Sequence, residues 1–577
     1  MDVTHGLKAA GVPGGPPAAI DYTKLVGEFI AENKVLYVVY ISVLLVFPAE
    51  ALVFPHVFSQ AMTKVQTSAS PSMRDLSRVA ALWIGVQALY LVMHAIDLTL
   101  VPKFDAFARG RVMTDIVTGF EEHFTEPNTG SLMSSVLKLP EAAKDLFYEM
   151  HHAVFADAVL MVCTVGYYFW VNRVLGAVFL VGMVVWLTVT YFFHRTCSVK
   201  TYAKERSHDS MHEKIEEIVS NLITIFVYDT AGDELKKLRD DSRDYAKLMA
   251  TSLGCAFNFR VMYAIVVVTV FLLIMATSVA LVRTKQIDQA TFVAVFIVTF
   301  TTMGRLMAGY ASIKAMQHSL GIVKSTSTSV SDTLKHDRVV PAREAPSAEF
   351  EISDIELDGI TYETADGRVI LDDVHCAFPA GKTAAIVGRI GSGKSTVARL
   401  VMRLDRPTSG DIKSGGRSVY ALSMASWRRQ VAFVPQTPRL MDRTLRENLT
   451  YAGAVRDADE VVDMLRGNGL EDMAKVFAER MDQPVGKGGT KLSGGQRQLV
   501  WLLRAMMSDA RVIVMDEPTS ALDYASRDQV VRFIHTAMKG RTIIIVTHDV
   551  SLLSQVDDVF EMREGKLVKR GSENARY

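Results

Sequence analysis

The sequence predicts a chain in two parts: an α-helical domain of six membrane crossings, then an α/β nucleotide-binding domain with a largely parallel sheet. Three observations lead there. Long apolar runs crowd the first half, a glycine-rich loop follows a buried strand at Gly388, and from about Glu351 short β-rich runs alternate with helical segments. The composition agrees, because 49% hydrophobic with 22% charged residues over 577 positions is too apolar for an ordinary soluble enzyme and too charged for an all-membrane protein. Equal numbers of basic and acidic residues, 63 each, argue against a nucleic-acid partner, which draws a basic excess.

The opening residues 1–20 are expected to form a flexible tail: their glycines and prolines bury little surface, and no apolar stretch precedes a cleavage site. The membrane domain is placed at 21–325. Its apolar runs cover roughly 35–58, 79–101, 153–171, 174–193, 261–282 and 290–311, each near the twenty or so residues that span about 30 Å of hydrocarbon. Asn172 and Arg173 leave room only for a tight helical hairpin between the third and fourth. The stretches 103–152 and 194–260 are long, mostly polar and helically patterned. They hold many of this half's basic residues, including Arg109, Arg111, Lys200, Lys204, Arg206, Lys236, Lys237 and Arg239, which places them and both chain ends in the cytoplasm. A linker is expected over 326–350 and the nucleotide domain over 351–577. The cysteines Cys163, Cys197, Cys255 and Cys376 have no metal-like spacing and are read as packing residues in a reducing or lipid setting.

Ionisable residues inside crossings are costly and mark pathways. Glu50, between Pro48 and Pro55, lies in the first crossing; Gln87, His94 and Asp97 lie in the second, Asp157 in the third and Arg305 in the sixth. His94 and Asp97, three apart, can face the same side and pair. The bland alternative places several of these side chains near the membrane edge or in the cytosolic extensions.

In the second half, "AAIVGRIGSGKSTVARL" is a strand, a glycine-rich turn and a helix start, with Gly388, Gly393, Lys394 and Ser395 at the spacing of a P-loop NTPase. Glycines let backbone N–H groups point at phosphate oxygens. The nucleotide-binding set is therefore Gly388, Arg389, Ile390, Gly391, Ser392, Gly393, Lys394, Ser395 and Thr396, with Lys394 on the outer phosphates and Ser395 on Mg2+. "VIVMDE" adds Asp516 for the metal and Glu517 to polarise the attacking water.

"LSGGQ" at Leu492 to Gln496, "DEPTSALD" at Asp516 to Asp523, "FVPQ" ending at Gln436 and "IVTHD" containing His548 stand in the order of ATP-binding-cassette (ABC) ATPase domains. With six crossings fused in front, and "EPNTGSLMSSV" in the place of a cytosolic coupling segment, the chain resembles the exporter-type ABC half-transporters, similar to subfamily B. The resemblance implies that two cassettes meet head to tail, so that Ser493, Gly494, Gly495 and Gln496 of one chain close over the nucleotide on the loop of the other. It also implies that Gln436 contacts Mg2+, that Asp523 crosses the dimer interface, and that His548 contacts the γ-phosphate and holds water. One loop and one signature per chain imply a homodimer, with a heterodimer as the alternative.

The chain departs from the family pattern in places. An aromatic ring is expected against adenine; Tyr362 offers one, and is preferred to Thr364, two positions on, because stacking needs a π-face. "VGKGG" puts Lys487 where exporters carry a glutamate, "DEPTS" replaces "DEATS", and "LVWLLRAMM" is an unusual continuation of the signature. The function implied is ATP-driven export or flipping of a lipid, peptide, drug-like molecule or metabolite by alternating access. An importer on the same fold and an ATP-gated regulatory membrane protein are the alternatives.

Overall fold

The computed structural model describes residues 22–67, 73–119, 129–335, 352–364, 367–453, 457–522, 524–537 and 539–570. The residues expected to form the N-terminal tail, most of the linker, Asp523, and the first three residues of the coupling segment lie outside them. The chain divides into two compact units, the first closing at Lys335.

Among the described residues of the first unit, six helices are long and apolar enough to cross a membrane: Lys34–Met62, Met73–Thr118, Val136–Val171, Arg173–Ser220, Ala231–Arg283 and Gln289–Ser327. Several far exceed a bilayer. A helix of 53 residues, Ala231–Arg283, runs to about 80 Å at 1.5 Å per residue, so the polar stretches between crossings are direct continuations of the spans. Large apolar side chains such as Val35, Leu91, Leu98, Val162 and Trp170 are exposed along them, an arrangement that is costly in water and suits a lipid solvent. The hairpin at Asn172 forms as expected: its backbone is extended, and its side-chain oxygen accepts from the Val174 N–H at 2.9 Å to start the next helix. The last helix continues to Lys335, so the first part of the stretch read as linker is helical.

Two expectations are corrected here. Asp97 does not pair with His94, whose Nδ1 lies 2.9 Å from the Tyr90 carbonyl oxygen of its own helix; its carboxylate instead lies 3.0 Å from His152 Nε2. Cys197 and Cys255 are not merely packed: they form a disulfide between two long helices, while Cys163 and Cys376 are free. A separation of 58 residues carries no spacing signal. Only the side-by-side packing of the helices Arg173–Ser220 and Ala231–Arg283 brings them together.

Among its described residues the second unit contains ten strands: β1 Ile355–Glu363, β2 Val369–Phe378, β3 Thr383–Gly388, β4 Ser409–Ser414, β5 Arg417–Ser418, β6 Val431–Val434, β7 Val512–Asp516, β8 Thr542–Val546, β9 Asp558–Arg563 and β10 Lys566–Lys569. Six form one sheet in the order β10-β9-β3-β8-β7-β6, parallel from β9 to β6. β7 and β8 are buried at every position and read as unbroken apolar runs, as strands covered on both faces do. The other four form an antiparallel sheet, β2-β1-β4-β5, that the sequence reading did not separate from the parallel one.

Candidate nucleotide site

In a parallel sheet every strand ends on the same edge, where ligands of open α/β folds collect. β3 ends at Gly388, β7 at Asp516, β8 at Val546 and β6 at Val434. This topology delivers the glycine-rich loop, the Asp516–Glu517 pair, His548 and Gln436 to one edge, although the sequence scatters them over some 160 positions.

The loop wraps the start of the helix Lys394–Val401, with Gly393 at its N-cap in a left-handed conformation, φ 104°. A methyl group there would stand 3.0 Å from Ile370 Cγ2, and one on Gly388 would stand 2.7 Å from the Met562 carbonyl oxygen. Both positions therefore require glycine. Lys394 is 7% exposed and donates from Nζ to the carbonyl oxygens of Gly388 and Arg389, both at 2.9 Å. Burial lowers its pKa, and the charges of Glu517 and Asp516 oppose that shift. The Ser392 hydroxyl is buried without a hydrogen-bond partner, and Ile390 is almost fully exposed. Arg389 and Gly391 complete the turn, and Thr396 lies in the first turn of the helix.

Asp516 is buried, and its Oδ1 has no hydrogen-bond partner. Burial holds this carboxyl above the usual range, against the influence of the nearby Ser395 hydroxyl and the Lys394 charge. Glu517 is likewise raised by burial, countered chiefly by His548, whose Nε2 lies 3.6 Å from Glu517 Oε1. Gln436 lies exposed just beyond β6. Tyr362 pairs in register with Leu371, whose side chain is 3.1 Å from the place of a Gly393 Cβ, so the ring belongs to the strand pair against which the loop packs. Thr364 instead closes the β1–β2 turn, its N–H and hydroxyl both donating to the Arg368 carbonyl oxygen.

The signature opens a helix of 14 residues, Gly494–Met507. Ser493 caps it: the hydroxyl accepts from the Gln496 N–H at 3.2 Å, while Gln496 Oε1 accepts from the Ser493 N–H at 3.0 Å. This capping box is legible as Ser-x-x-Gln, a pattern the sequence reading did not use. Side chains on Gly494 and Gly495 would press on Ala521 and Leu522, just before Asp523. Lys487 is exposed. Asp549 is a further organising residue: it accepts from Thr519 Oγ1 at 3.0 Å and from Ser551, tying the segment after Glu517 to the one after His548.

The fold and this edge define a multi-pass membrane protein with a nucleotide-binding domain. Comparison narrows the class. The family described as "ABC transporter transmembrane region" matches residues 38–306, and that described as "ABC transporter" matches residues 371–520. The chain belongs to the ABC transporter family and carries its ATP-binding domain. It is 35% identical over 218 residues to the mitochondrial iron-sulfur clusters transporter of Rattus norvegicus, covering 38% of this chain and 29% of that one. It is 36% identical over 226 residues to the ATP-dependent lipid A-core flippase of Ralstonia nicotianae, covering 38% of each, and 36% identical over 207 residues to the alpha-hemolysin translocation ATP-binding protein of Escherichia coli, covering 36% of this chain and 29% of the relative. The aligned stretches thus span well under half of these relatives. A solved bacterial Atm1-family ABC exporter with ATP bound has the same fold, with a TM-score of 0.81 over 93% of this chain and 95% of that one at 20% identity.

Proposed function

We propose that two copies of this chain form an ATP-driven exporter, with each ATP held between the glycine-rich loop of one copy and the signature of the other. The convergence of Lys394, Ser395, Asp516, Glu517 and His548 on one sheet edge carries this reading, and relatives named as transporter, flippase and translocation protein support it. One chain holds one loop and one signature, so twofold pairing of identical copies is the simplest arrangement that completes two sites.

In this mechanism the loop N–H groups cradle the phosphates, and Lys394 exchanges its carbonyl partners for phosphate oxygens. Mg2+ fits the residues present: Asp516 Oδ1 is a buried acceptor without a partner, beside the Ser395 hydroxyl. Ser395, Asp516 and Gln436 would hold the ion, which supplies positive charge to the phosphate oxygens when bound. Glu517 orients and polarises the attacking water, and His548 holds that water and the γ-phosphate. Ser493, with the N–H groups of Gly494 and Gly495 at a helix N-terminus, grips the γ-phosphate from the partner copy; Gln496 secures that turn, and Asp523 lies across the interface. Tyr362 stacks on adenine. ATP binding then draws the cassettes together, and the helical extensions carry that movement to the crossings. Both chain ends and the nucleotide unit lie in the cytoplasm, where ATP is.

The test is ATP hydrolysis by the purified chain in lipid vesicles, beside Glu517→Gln. Turnover by the wild type and its loss in the variant, with ATP binding retained in both, is the expected result. ATP bound but hydrolysed by neither would overturn the catalytic assignment.

A further inference from the structure

The Cys197–Cys255 disulfide stands where the packed part of the membrane unit ends. Among the described residues, nothing on the helix Ala231–Arg283 ahead of Cys255 is buried, and on Arg173–Ser220 only Thr201 and Glu205 are buried after Cys197. Beyond the bond each helix continues for about 35 Å at 1.5 Å per residue. The two are joined there by polar and ring contacts, including Thr201 Oγ1 to Ser252 Oγ at 3.3 Å, Lys214 Nζ to Asp241 Oδ2 at 2.7 Å, and the rings of His208 and Tyr245 with centroids 5.5 Å apart. Such contacts each contribute little. The disulfide is therefore the clamp on this helical hairpin.

The same bond borders a cavity. Cys197 lines a space of about 360 Å³ together with Thr201, Lys204, Ser252, Lys314 and His318, whereas Cys255 does not line it. The lining holds two lysines and a histidine and no carboxylate. The buried Glu205, outside the lining, engages Lys204 at 2.5 Å and His318 at 3.1 Å, and Asp209, a turn further on, is taken by Lys138 at 2.8 Å. Even with His318 neutral, two lysines thus share one carboxylate, and Lys314 is exposed with no ion pair among the described residues. A positively lined recess draws anions and favours thiolate over thiol. On the reading given above this hairpin lies in the cytoplasm, where thiols are kept reduced and disulfides are typically transient.

We propose that Cys197–Cys255 is a redox-active clamp, opened by a small anionic thiol that enters this cavity. The reagent's thiolate attacks Cys197 Sγ; the S–S bond breaks, and Cys255 leaves as a thiolate and takes up a proton. A second thiolate then attacks the reagent's sulfur in the mixed disulfide, releasing Cys197 as a thiol after protonation, together with a small disulfide whose excess drives the reverse. The exchange needs no ATP turnover, so its test stands apart from the transporter reading. Full-length nucleotide-free protein in lipid nanodiscs is treated with 2-mercaptoethanesulfonate, 2-mercaptoethanol or cysteamine, each rate being divided by the thiolate concentration and by the rate on the denatured chain. The expected order is anionic, neutral, cationic, spanning about tenfold at low salt, narrowed in Lys314→Gln and kept in Lys314→Arg. Quenching with a maleimide should trap the reagent on Cys197 and the maleimide on Cys255, and amide hydrogen exchange over residues 231–255 should quicken after reduction. Rates indifferent to reagent charge, an unchanged span in Lys314→Gln, the reagent trapped on Cys255, or amide exchange unaltered by reduction overturns the proposal.

Discussion

Glu517 sits at φ 48°, a left-handed backbone that a side chain with a Cβ adopts at a cost of order 1–3 kcal/mol. Its N–H donates to the Val546 carbonyl oxygen at 2.8 Å, and the Ser520 N–H donates back to its own carbonyl oxygen, so the neighbouring strand end fixes this conformation. This conformation sets the half-buried carboxyl group beside His548, the place the proposed water-polarising role requires. Glu517→Gln keeps shape and removes the proposed base: hydrolysis should fall by about 100-fold or more, with nucleotide retention unchanged in a filter-binding assay. The same burial has a measurable cost. Because Asp516 and Glu517 are both raised above the ordinary carboxylate range, the folded state binds protons that the unfolded chain releases. Their contribution to stability is complete below that ordinary range and is lost as pH rises through the raised values. Asp516→Asn should therefore raise the unfolding midpoint of nucleotide-free protein at pH 7 and change it little near pH 4, as followed by calorimetry. A midpoint that falls at pH 7 would contradict the sign.

At the scale of elements, the signature helix serves two ends. Its capping box holds the helix start without help from a ligand, while the proposed role turns the same Ser493 toward a phosphate. The two can be separated. Ser493→Asp retains a good N-cap but faces the γ-phosphate with a negative charge, so the unfolding midpoint should hold while ATP hydrolysis is lost; Ser493→Ala should cost stability as well, by about 1 kcal/mol. The unusual "LVWLLRAMM" also finds a reason here. Trp501 Nε1 donates to the Arg439 carbonyl oxygen at 3.1 Å, and Arg504 Nε to that of Asn448 at 2.6 Å, fastening the helix to the segment that follows Gln436. Neither of these two contacts was legible in sequence, since the partners lie 62 and 56 residues away and carry no periodic signal. What was legible were local patterns: the apolar runs of the crossings, the Asn172 hairpin, and the buried strands β3, β6, β7 and β8. The antiparallel sheet was missed because its strands alternate weakly and its register has bulges. The Asp97–His152 pair was missed because helical spacing shows neighbours on one helix and nothing of the helix beside it.

For the whole molecule, long continuous helices run from the crossings into the polar extensions, and the Cys197–Cys255 disulfide ties two of them together. Labelling the denatured protein with a maleimide–polyethylene glycol should tag two cysteines before reduction and four after, as read by gel shift; four tags without reductant would refute the bond. The central claim concerns assembly: each ATP site is completed by a second copy. It is tested most directly by placing Ser392→Cys in the loop and Ser493→Cys in the signature of a chain that also carries Glu517→Gln, then adding ATP and a mild oxidant in vesicles. The account predicts a dimer-sized cross-linked band on a non-reducing gel that requires ATP and both added cysteines. A chain that retains bound ATP yet gives no dimer-sized band under these conditions would contradict it.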